Sequence, residues 1–112
     1  MSAFQTALAL GVPWGAAAWG GRHPGVLPTH LRSASAVAAP VVGGLAAVAA
    51  GRLLGERGRR RVLLGVAAYA GLGAVANAAS PSAVERAVWT PLCVLGAALA
   101  VQARREADRA GR

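Results

Sequence analysis

Gly55-Glu56-Arg57-Gly58-Arg59-Arg60-Arg61 is a dense basic stretch with a long uncharged run on either side of it. The same alternation continues outward to both ends of the chain. Charge-free runs cover Met1–Gly21, Ser33–Gly51, Val62–Val84 and Ala87–Ala103, and all sixteen charged residues fall in the remaining 32 positions. A water-soluble helical bundle carries charge along the outer face of every helix, whereas here charge is segregated into the connections. The runs are 21, 19, 23 and 17 residues long, and a helix of about 17 to 25 mostly apolar residues crosses a bilayer core.

Composition agrees with the pattern. Hydrophobic residues make up 55% of the 112 and charged residues 14%, against about 25% charged in soluble domains. The apolar content is largely Ala and Gly, so each run favours insertion only weakly compared with one rich in Leu or Phe. The sequence therefore predicts an all-α fold: a single integral membrane domain over 1–112, forming a four-transmembrane-helix bundle of antiparallel up-down topology. Its helices are expected at about 2–20, 34–54, 62–79 and 83–106, with outer loops at 21–33 and 80–82, a hinge at 55–61 and a tail at 104–112.

The basic residues orient it. Arg52, Arg57, Arg59, Arg60, Arg61, Arg104, Arg105, Arg109 and Arg112 fall on the hinge-and-tail side of a four-span arrangement, while only Arg22, Arg32 and Arg86 fall on the other. Short loops rich in Lys and Arg stay cytoplasmic, so nine against three places the hinge and both termini in the cytoplasm of a bacterial cell (plasma) membrane. Arg52, Arg57, Arg59, Arg60, Arg61, Arg104 and Arg105 are then expected as anchors at anionic lipid headgroups, about 1 kcal/mol each. The net charge of +8 does not indicate nucleic acid, because the basic residues form no face or stripe with aromatic companions.

Small residues mark where helices approach. Gly11 and Gly15 lie four apart beside Pro13, which is expected to kink the first helix. Ala39, Gly43, Ala47, Gly51 and Gly55 recur at four-residue spacing along one helix face, the arrangement a close helix–helix seam needs. Pro40 is expected in the first two turns of its helix, where the missing donor costs least. In the third run Tyr69, Gly73 and Asn77 share a face, with Asn77 placed to bond across to a neighbour. The first run opens without Lys or Arg, so it lacks the basic start of a secretory signal and reads as a retained helix.

Between the first two runs, Gly20 to Ser33 contains two Pro and three Gly, which cannot continue a helix. His23 and His30 lie in it with no carboxylate or thiol nearby to complete a coordination sphere. Cys93 is the lone cysteine, which excludes an intrachain disulfide. Ser82 and Glu85 are spaced as a capping box opening the last helix, and Glu85 precedes the apolar run rather than lying inside it. Trp19 and Trp89 suit the interfacial aromatic belt.

Gly11-Val-Pro-Trp-Gly-Ala-Ala-Ala-Trp-Gly-Gly-Arg-His-Pro-Gly-Val-Leu-Pro-Thr-His-Leu-Arg32, together with Asn77, Ser80-Pro-Ser82, Glu85-Arg86 and Trp89-Thr-Pro-Leu-Cys93, resembles an uncharacterised family of small four-helix integral membrane proteins from high-GC bacteria. The resemblance covers about half of the 112 residues and implies architecture; no activity comes with it. Four acids, two His and one Cys so placed assemble no nucleophile–base pair, carboxylate pair or metal cluster. The expectation is a protein that is not an enzyme, without cofactor or metal: a packing or accessory component whose partners are the lipid bilayer and a second copy or another membrane protein. The alternative is an oligomeric transporter or channel subunit lined by Gln5, Asn77 and Thr90.

Overall fold

The computed structural model describes every residue except Arg52, so the anchor expected there lies outside the described residues. Among the described residues the fold is all-helical. Helix α1 covers Ser2–Ala9, α2 Thr29–Ala49, α3 Glu56–Ala78 and α4 Thr90–Ala110, with two 3₁₀ turns at Gly15–Ala17 and Trp19–Gly21 and a π-helical turn at Glu85–Trp89 leading directly into α4. Among the described residues three helices are long and apolar enough to cross a membrane: Thr29–Ala49, Glu56–Ala78 and Glu85–Ala110. At 1.5 Å per residue, α1 with its 8 residues is only about 12 Å long.

The expected first helix over 2–20 is therefore corrected. Gly11 adopts φ +93°, a left-handed conformation that closes the helix, and Pro13 disfavours helical geometry at Val12. Two breakers within three residues end the helix where one would have kinked it. Trp19, Gly20 and Gly21 then follow with φ of +53°, +80° and +66°, so the rest of the run folds as tight turns. Of the three, Trp19 alone is not glycine, and positive φ is uncommon for a bulky side chain.

The other boundaries move as well. Helix α2 starts at Thr29, directly after Pro28, and Pro40 consequently sits in its interior rather than its first turns. The hinge expected at 55–61 contracts, because α3 begins at Glu56. A carboxylate in the first turn complements the positive end of a helix, which suits Glu56 there and carries Arg57 to Arg61 into the helix. The last helix is continuous through Thr90-Pro91, with Pro91 in its opening turn.

Packing is pairwise. Helix α1 lies against α2, α3 lies along α4, and α2 touches α3 only sparsely, within an elongated molecule of 50 × 25 × 15 Å. Ser2 donates to the Ala39 carbonyl at 2.7 Å and Arg32 Nε to the Ala9 carbonyl at 3.1 Å. Helix α1 thus runs antiparallel to α2 from its midpoint to its start. Leu8, Ala18 and Leu27 form the buried cluster there, with Phe4 and Leu31 against it. The long helices keep most of their apolar surface outward, and in each spanning segment no more than 11% of the residues are buried.

Candidate functional site

The polar groups of the fold converge at the end where α1 and α3 finish and α2 and α4 begin. Glu85 is 6% exposed. Its Oε1 accepts from the Gly20 backbone N–H at 2.8 Å and its Oε2 from the Ser80 hydroxyl at 2.5 Å. The left-handed run Trp19-Gly20-Gly21 turns that N–H toward the carboxylate, in the manner of backbone turns that form anion-binding concavities. The capping box expected from sequence is half formed: Glu85 N–H donates to Ser82 Oγ at 3.3 Å. The return arm is absent because the carboxylate is engaged 65 residues away, and the Ser82 N–H donates instead to Ser80 Oγ at 3.1 Å.

Further bonds bind the same segments. Ser82 donates to the Ala16 carbonyl at 2.8 Å, Trp89 Nε1 to the Ala17 carbonyl at 2.6 Å, and Trp19 Nε1 to Oγ of the fully buried Ser35 at 3.3 Å. Phe4 packs edge-on to Trp89 with ring centroids 4.7 Å apart and stacks on Trp14 at 6.0 Å. Gly15 is required where it sits, since a Cβ there would overlap the His23 and Gly25 carbonyl oxygens.

Beside these bonds is an open cleft of about 200 Å3, lined by Phe4, Gln5, Trp19, Asn77, Glu85 and Trp89, with Met1, Tyr69, Ala17 and Ala18 completing the wall. Gln5 Oε1 is buried without a hydrogen-bond partner. Asn77 Nδ2 is occupied, donating to the Gly73 carbonyl at 2.7 Å and to Cys93 Sγ at 3.7 Å. Among the described residues Glu85 forms no ion pair; neighbouring Arg86 donates to the Ser80 carbonyl instead.

The residues expected to matter for packing take separate places. Gly43 meets Ser2 of α1, its would-be Cβ 3.3 Å from Ser2 Oγ, and Gly73 of α3 meets Cys93 Sγ of α4 at 3.2 Å. Gly11 and Gly51, both with positive φ, end helices rather than lying in a seam, and Gly15 packs within the loop. Ala47 is half-buried on α2. His23 and His30 are exposed, and among the described residues no three His, Cys, Asp or Glu gather in metal-binding geometry.

Arginine does something that spacing does not reveal. Arg32 donates to Ala9 O at the end of α1, Arg59 to Ala49 O at the end of α2 at 3.0 Å, Arg86 to Ser80 O just past α3, and Arg60 to Ala107 O in the last turn of α4 at 2.5 Å. Helices α1, α2 and α4 thus each have a guanidinium at a C-terminal carbonyl, where the negative end of the dipole favours a cation, and Arg86 sits just beyond the end of α3. Arg60 also pairs with Asp108 at 3.3 Å, and Arg104 with Asp108 at 4.0 Å. Arg57, Arg61 and Arg105 are exposed. Comparison with protein-family models, curated proteins and solved structures finds no match to this chain.

Proposed function

We propose that this chain is a non-catalytic multi-pass protein of the cell membrane, acting by packing against a second copy of itself or another membrane protein. Its hinge and tail face the cytoplasm, with Arg57, Arg61 and Arg105 at the headgroups. The observation that carries the reading is the crevice between α2 and α3. About 350 Å3 in volume, it is lined by Ala38, Val41, Val42, Leu45, Val62 and Val66, with Gly65 in its wall and Tyr69 at one end.

Nothing lies within 4 Å of where a Cβ on Gly65 or on Gly44 would sit. In lipid, helices associate through close approach over small residues, and here two such residues have no neighbour in their own chain. Three crossing helices still put the hinge and the tail on one side, but they no longer require the N-terminus there. Ser2 lies beside the midpoint of α2.

Native mass spectrometry and crosslinking in mild detergent test the reading. The expected result is a dimer or a defined complex that Gly65→Leu weakens at least tenfold. Monomers only, with no co-purifying membrane protein, would overturn it.

A further inference from the structure

We infer that the cavity beside Glu85 is a binding site for a compact organic cation, a protonated or quaternary amine with a trimethylammonium-like head. The cavity wall is rich in acceptors and ring faces. Glu85 brings a formal negative charge into a buried setting, and its two hydrogen bonds come from neutral donors. A carboxylate offers about four acceptor sites, so two bonds leave capacity for a ligand. Buried charge is costly unless paired, and no guanidinium fills that role: Arg86 is turned to the Ser80 carbonyl.

Gln5 Oε1 is a second acceptor on the wall, buried and unpartnered. Phe4, Trp19 and Trp89 supply aromatic surface around the same space, and ring faces attract cations within about 6 Å of the centroid, Trp most strongly. Met1 lines the wall as well, and among the described residues no ion pair joins it to Glu85. An anion would be repelled by the Glu85 carboxylate, and an uncharged guest would leave that buried carboxylate without a counter-charge. The volume, about 200 Å3, is below the about 300–1,000 Å3 of drug-sized sites, which limits the guest to a small head group. Trp19 holds its positive φ at this wall, and backbone strain of that kind concentrates at ligand sites.

The site stands independently of the packing role, since every residue in it belongs to one chain. The test titrates the full-length protein in maltoside detergent with tetramethylammonium and choline, reading tryptophan fluorescence, with sodium and neutral tert-butanol as controls. A parallel arm compares nanodiscs of phosphatidylglycerol with and without phosphatidylcholine, which separates a free cation from a lipid headgroup as the source. Saturable response to the free cations, or to the choline lipid alone, supports the site and names its source.

Glu85→Gln keeps an acceptor for the Gly20 N–H while removing the charge, and should weaken binding at least tenfold. Gln5→Met, which removes an unpaired acceptor at no hydrogen-bond cost to the fold, should weaken it severalfold with an unchanged melting temperature. Equal response to tert-butanol, no saturable response in either arm, or folded Gln5→Met and Glu85→Gln proteins that bind like the wild type would overturn the proposal. None of these outcomes depends on whether the protein is a monomer.

Discussion

Glu85 illustrates how a residue's partners decide its role. Spacing relates it to Ser82, three positions earlier, and that half of the relation is present. Its stronger attachments reach Ser80 and Gly20, and the second of these joins the turns after α1 to the segment that opens α4. Glu85→Ala strips the acceptor from both donors, and leaving a buried donor unmet costs about 1–3 kcal/mol. The expected outcome is a lower midpoint in a denaturant titration in mixed micelles, with Glu85→Gln recovering part of the loss. Glycines give a second residue-scale contrast. Gly15→Ala should destabilise, because its Cβ has no room beside two carbonyl oxygens, whereas Gly44→Ala enters open space on α2 and should be neutral or gain about 0.5–1 kcal/mol from helix propensity. Thermal scans of the two variants check both directions; similar shifts would contradict the assigned packing.

Among the elements, the long helices were readable because charge is absent along runs of bilayer length, a property that needs no tertiary information. The short α1 was not. Gly11 and Pro13 were visible, but a single kink and a true stop differ in whether neighbours stabilise the turned chain, and here the Leu8–Ala18–Leu27 cluster and the Trp19 and Trp89 bonds do so. The arginine caps were equally hidden, since Arg32 and Arg60 find carbonyls 23 and 47 residues away. They predict that Arg59→Ala or Arg32→Ala costs about 1 kcal/mol in unfolding free energy, while Arg57→Ala and Arg61→Ala change it by less than about 0.5 kcal/mol. A uniform effect across the four variants in the same unfolding assay would mean that the guanidinium contacts are not what distinguishes them. Between elements, Gly43→Leu should prise α1 from α2 by displacing Ser2, seen as faster proteolysis of the N-terminal segment.

For the whole molecule, the orientation proposed above makes a labelling prediction. With Cys93 replaced by Ala, single cysteines at Arg57 or Arg61 should react with a membrane-impermeant maleimide only from the cytoplasmic side, and one at Arg22 only from outside. The reverse pattern would invert the topology. The arrangement also has a geometric result. Because α1 reaches only from the midpoint of α2 to its start, four helices occupy the half of the molecule nearest Glu85 and three the half nearest the hinge. With each helix about 10 Å across, the two halves differ in cross-section, so the protein is a wedge. In the orientation proposed above, the broader end would face the outer leaflet, a shape that suits a membrane bulging outward.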